Sequence, residues 1–99
     1  MFVHVVLFWL KKDAPADTKQ KMIADAETQL KQIPGVRHIW AGRPAMTPRP
    51  VVDNSYDVGL CVIYDDKAAH DAYQTHDLHT QFGANYKAHW EKVLVYDFA

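Results

Sequence analysis

Ninety-nine residues, 48% hydrophobic and 23% charged, describe one globular domain with a single modest core and exclude a multidomain or disordered chain. Eleven Lys and Arg against twelve Asp and Glu leave a formal net charge of −1, with no basic stripe, so neither nucleic acid nor an anionic membrane is an expected partner. Cys61 stands alone, which excludes an intrachain disulfide and points to a reducing, cytoplasmic compartment; no apolar run approaches the ~18 residues that would span a bilayer.

Phe2–Leu10 (FVHVVLFWL) is rich in β-branched and aromatic residues and ends at Lys11-Lys12, so it reads as a strand rather than a secretory leader. Asp13 is placed to cap the next helix, with Pro15 in its first turn. Met22, Ile23, Ala26, Leu30 and Ile33 then fall on one helical stripe, and Pro34-Gly35 stops it. Val36–Arg43 reads as a second strand. The proline-rich stretch Pro44 to Ser55 is long for a loop and suggests a lid, a rim or an interface arm. Tyr56–Tyr64 reads as a third strand. A short helix is expected from Asp65 or Asp66 to about Tyr73, a further helical piece from Asp77 towards His89, and a last strand over Trp90–Phe98.

The order βαββαβ is that of a ferredoxin-like α+β unit, an antiparallel sheet with helices on one face. A sheet whose second face meets water alternates apolar with polar residues. These strands do not. His4, Val6 and Phe8 oppose Val3, Val5, Leu7 and Trp9, and Val93 and Val95 oppose Leu94 and Tyr96. Leaving the second set in water forgoes about 1.5–3 kcal/mol for each large side chain. A homodimer packing sheet on sheet into a closed barrel covers it; a solvent-facing sheet with scattered apolar residues is the plainer alternative.

The densest chemistry lies in Tyr73-Gln74-Thr75-His76-Asp77-Leu78-His79, a phenol and two imidazoles in seven residues. Imidazole titrates near neutrality and, beside a phenol, suits proton transfer. Six residues of unbroken helix turn through about 600°, so Tyr73 and His79 meet only if the helix breaks between them. Thr75 or His76 as a cap, with Asp77 at the positive helix end, supplies that break. Tyr73 also suits a core aromatic, His4 a hydrogen-bonded core histidine and His76 a cap; His38, His70 and His89 read as surface or helix-edge residues. His76-x-x-His79 is a weak ligand spacing, with no HExxH motif, cysteine pair or glycine-rich phosphate loop beside it. No metal and no cofactor are expected.

His4-Val5-Val6-Leu7-Phe8, Ile33-Pro34-Gly35-Val36, the Tyr73–His79 segment and Trp90-Glu91-Lys92-Val93-Leu94-Val95-Tyr96-Asp97-Phe98 occur in an order that resembles the stress-responsive A/B barrel (Dabb) family along nearly the whole chain. The resemblance implies a ferredoxin-like protomer in a two-fold α+β barrel dimer. Some members are associated with stress responses, and one plant member is a cofactor-independent polyketide cyclase that closes a ring by aldol condensation. By that resemblance the catalytic pair falls on Tyr73 and His79, and a further pocket histidine on His4. The apolar wall around a small apolar or aromatic ligand falls on Val6, Phe8, Ile23, Leu60, Val62, Trp90, Val93 and Val95. There are departures. Asp77 stands where the family often has Pro, Met22, Ile23 and Ala26 replace pocket aromatics, and Val58 replaces a pocket histidine, so the substrate does not carry over. A non-catalytic ligand-binding dimer and a cofactor-free monooxygenase on the same scaffold are the competing expectations.

Overall fold

The computed structural model describes residues 1–99. The elements are β1 (Phe2–Leu10), α1 (Thr18–Thr28), β2 (Val36–Gly42), β3 (Val58–Tyr64), α2 (Lys67–Thr75), α3 (Asp77–Tyr86) and β4 (Trp90–Phe98). Single 3₁₀ turns follow α1 (Leu30–Gln32) and α3 (Lys87–His89). The strands form one antiparallel sheet in the order β2-β3-β1-β4. This is a ferredoxin-like α+β fold, and no helix in it is long and apolar enough to cross a membrane.

The first helix differs from expectation at both ends. It starts at Thr18, not after Asp13, because residues 12–17 close into turns in which the Thr18 amide donates to the Pro15 carbonyl at 3.0 Å. Asp17 holds the N-cap position, but its carboxylate pairs with Lys21 at 3.0 Å and caps nothing. At the other end α1 stops at Thr28, whose hydroxyl donates back to the Ala24 carbonyl. Ile33 is already extended, with ψ 126°, because a residue before proline is pushed out of the helical region.

Gly35 follows with φ +91°, and a Cβ added there would stand 3.0 Å from the Ala69 Cβ on α2. Gly35→Ala is therefore expected to destabilise the fold by about 1–2 kcal/mol from the backbone alone, with the contact adding to it, as read from a chemical denaturation midpoint.

The strand registers sort the two sheet faces. His4, Val6 and Phe8 are buried against the helices, with Val58, Leu60, Val62 and Tyr64 beside them on β3. Met22, Leu30, Val62 and Tyr64 are fully enclosed at the centre. α1 packs over β2 and β3, and the Tyr86 hydroxyl on α3 donates to Asp25 on α1. On the far face Val5 lies between Cys61 and Tyr96, and Cys61 lies opposite Trp40. Trp40, Tyr96 and Phe98 remain more than half exposed there, and no element of this chain covers that face.

The long loop is mostly exposed. Its end is tied to β1: Asp57 accepts from the Leu10 amide at 2.7 Å, and the Trp9 indole donates to Ser55 at 3.1 Å.

Candidate active site

A cavity of about 190 Å³ lies between the sheet and the second helical layer, over β1 and β4. His4, Val6 and Phe8 on β1, Leu60 on β3, and Trp90, Val93 and Val95 on β4 form its sheet wall. Tyr73 and Gln74 on α2, with His79, Phe82 and Gly83 on α3, face them, and Leu30 contributes from the 3₁₀ turn. Ile23 and Val62 do not reach it. Ile23 rides on α1, over β2 and β3, and Val62 is wholly sealed beneath that layer beside His4. Leu30, Gln74, Phe82 and Gly83 are lining residues that sequence reasoning missed. Phe82 and Gly83 were within reach of it, since they follow His79 by three and four positions on one helix face.

The break between α2 and α3 brings the phenol and the imidazole together. Asp66 caps α2 by accepting from the Ala69 amide at 2.9 Å. His76 is extended and caps α3, its Nδ1 accepting from the Leu78 amide at 3.1 Å. Asp77 then sits in the first turn, where the helix dipole favours a carboxylate. The Tyr73 and His79 rings meet edge to face, 4.9 Å between centroids, and Tyr73 lies 6.2 Å from the His4 ring. His76→Ala is expected to cost about 1 kcal/mol through the lost cap and to loosen this convergence, measured as a fall in thermal midpoint and faster amide exchange at Leu78.

Burial sets the electrostatics. It holds His79 below the ordinary imidazole value, and the nearby His4 pushes in the same direction. His4 is likewise lowered by burial, opposed by Asp97, which accepts from its Nδ1 at 2.5 Å. With the Nδ1 proton held there, Nε2 is the basic nitrogen of His4. Burial pushes the Tyr73 phenol up, so it stays protonated and able to donate. The Trp90 indole N–H is buried without a hydrogen-bond partner.

Asp97 was not foreseen. The β4 alternation does carry the signal: Asp97 follows Val93 and Val95 on the inward set, and the register places it opposite His4. In chemical terms the cavity offers a neutral base, a phenolic donor and a His–Asp pair in an apolar enclosure, which is how small-molecule sites are commonly built.

Residues 2–99 match the sequence pattern of the stress responsive A/B barrel domain. The chain belongs to that family. Among solved structures, a Dabb family protein with a ferredoxin-like fold from Mesorhizobium loti is 28% identical, with a TM-score of 0.78 over 99% of this chain and 94% of that one. A dimeric ferredoxin-like protein from Thermobifida fusca is 19% identical, with a TM-score of 0.83 over 99% and 89%. Hydroxynitrile lyase from Passiflora edulis is 14% identical, with a TM-score of 0.79 over 98% and 90%. The last two show the shared fold alone. No curated protein sequence matches the chain. Met22, Ala26 and Val58, which the sequence reading sets against the pocket residues of the plant cyclase, lie in the sealed core beyond the cavity.

Proposed function

We propose that this Dabb-family chain is a cytoplasmic homodimer that binds a small apolar or aromatic carbonyl compound and moves a proton on it without a cofactor, as in aldol or lyase chemistry. The observation that carries the reading is the edge-to-face meeting of Tyr73 and His79 at 4.9 Å on the wall of a largely apolar cavity. Neutral His79 takes the proton alpha to the carbonyl. Tyr73, kept protonated by burial, donates to the developing oxyanion, and His4, oriented by Asp97, fixes the substrate from the opposite wall. Two likenesses support the chemistry: the resemblance of the Tyr73–His79 segment to olivetolic acid cyclase, and the fold shared with a hydroxynitrile lyase. The far sheet face supports the dimer, and dimers are described for the Thermobifida fusca relative. The unpaired Cys61 supports the compartment.

The test uses phenylacetone in deuterated buffer, with its alpha-proton exchange followed by proton NMR. Exchange faster with the protein than with buffer, and lost in His79→Ala, is the expected result. Shifted cavity resonances without faster exchange would leave a binding protein and remove the catalytic claim. Oxygen uptake with a quinol would favour the monooxygenase alternative instead.

A further inference from the structure

His70, which the sequence marks only as a helix-edge residue, lies in a cluster with Asp97 and His4, of which the acid–base reading uses only the last two. One donor atom from each of the three residues lies within 4.8 Å of the other two, and the three residues come from α2, β4 and β1. We propose that His4, His70 and Asp97 form a binding site for a divalent transition-metal ion of the zinc class, beside the cavity that His4 lines. Two imidazole nitrogens with one carboxylate oxygen suit Zn²⁺, Co²⁺ or Ni²⁺, whereas Mg²⁺ and Ca²⁺ take mainly oxygen ligands. The site shares His4 and Asp97 with the proposed reaction and leaves Tyr73 and His79 free, so its metal binding is tested apart from that chemistry.

The surroundings of the cluster are those of a ligand set. The Nδ1 of His70 donates to the Asp71 carboxylate at 3.1 Å, which leaves its Nε2 lone pair on the side of Asp97, whose Oδ2 is 4.0 Å away. A carboxylate on the outer nitrogen of a ligating imidazole is the usual support for a metal-bound histidine. The Gln74 amide lies 3.3 Å from the same Nε2 and is the partner that the ion displaces. Phe2 stacks on the His70 ring at 4.5 Å and fixes its plane. His4 is buried, and the His70 side chain is only 14% exposed.

Tyr64 is fully buried beside the cluster, and the Tyr73 hydroxyl is the partner within its reach. The Tyr64 ring lies 5.6 Å from His70 and 6.4 Å from His4, and the charge of Asp97 reaches its phenol. Tetrahedral donors around zinc stand roughly 3.3 Å apart, a spacing that three donor atoms already within 4.8 Å of one another reach by small side-chain rotations. The hydrogen bond between His4 and Asp97 opens as the ion takes the place of its proton.

The full chain at neutral pH is titrated with Zn²⁺ by calorimetry and with Co²⁺ by visible absorption. One ion per chain is expected, with cobalt bands showing nitrogen and oxygen ligation. His70→Ala is expected to weaken binding at least 100-fold and to abolish the cobalt bands. Asp71→Asn leaves the ligands in place and is expected to weaken binding about 10-fold. His89→Ala leaves both unchanged. An isotherm that His70→Ala does not alter, or no cobalt band in the wild type, overturns the proposal. Circular dichroism of each variant separates lost ligation from lost fold, and Asp71→Asn carries the test if His70→Ala does not fold.

Discussion

Replacing His79 by alanine is expected to slow alpha-proton exchange on phenylacetone by about 10²–10⁴-fold, the usual contribution of a positioned general base. Tyr73→Phe is expected to slow it by about 10²–10³-fold, because it deletes one oxyanion donor and little volume. The two losses differ in origin, and the pH profile separates them. Burial, reinforced by His4, lowers His79 from its ordinary 6.5, so it is already the free base at neutral pH. Activity should therefore be flat through neutrality and fall only on an acid limb below 6.5. Tyr73→Phe should keep that limb and His79→Ala should lose it. The groups facing His79 are Tyr73 and His70 from α2 and His4 from β1, so a shift of the limb in a His4 variant is expected as well.

The same shift sets the sign of the stability change. The native state binds a proton at His79 less readily than the unfolded chain does. Stability from this group is thus intact above 6.5, falls as pH drops through that value, and stops falling below the depressed native value. Equal exchange rates for wild type and His79→Ala would remove His79 from the chemistry, whatever the ligand does in the cavity.

The fold was legible because its signals are local. Alternation in Phe2–Leu10 and Trp90–Phe98 set two strands to the residue, and Pro34-Gly35 marked the end of the first helical segment. The later start of α1 has a local cause too: Pro15 suits a first-turn position, yet its carbonyl closes a separate turn with Thr18. Much of the cavity wall was legible for the same reason, since residues two apart on a strand share a face. Placements that depend on pairing between distant elements were not legible. The meeting of Asp97 with His4 follows from the β1–β4 register, and that of His70 with Asp97 from how α2 docks. Neither can be reached by spacing along the chain. Ile23 and Val62 were lost to the opposite effect. Their faces were read correctly, but α1 lies over β2 and β3 and seals that half of the core.

Val5→Glu is expected to dissociate the proposed homodimer at micromolar concentration, seen by sedimentation as a shift from two chains to one. Val5 is at the centre of the far sheet face, with Cys61 and Tyr96 as register neighbours and Val3 and Leu7 on either side along β1. Within one chain that face leaves Trp40 at 54% and Tyr96 at 57% exposure, an apolar surface of the kind that marks an interaction site. In the proposed assembly a two-fold axis through the face brings Val5 of both chains into one buried layer. Each dimer then acquires two carboxylates among mainly apolar residues, with the single guanidinium of Arg43 lining the same concavity in each chain. Stranding a single buried charge costs about 3–5 kcal/mol, and a pair of like charges cannot offset one another. That loss exceeds two decades in association constant for each charge, by the rule of 1.4 kcal/mol per tenfold. The helix side of the sheet does not contact Val5, so the released monomer should keep its strands and helices by circular dichroism. A wild-type chain that sediments as a monomer, or a Val5→Glu chain that stays dimeric, would contradict the face-to-face assembly.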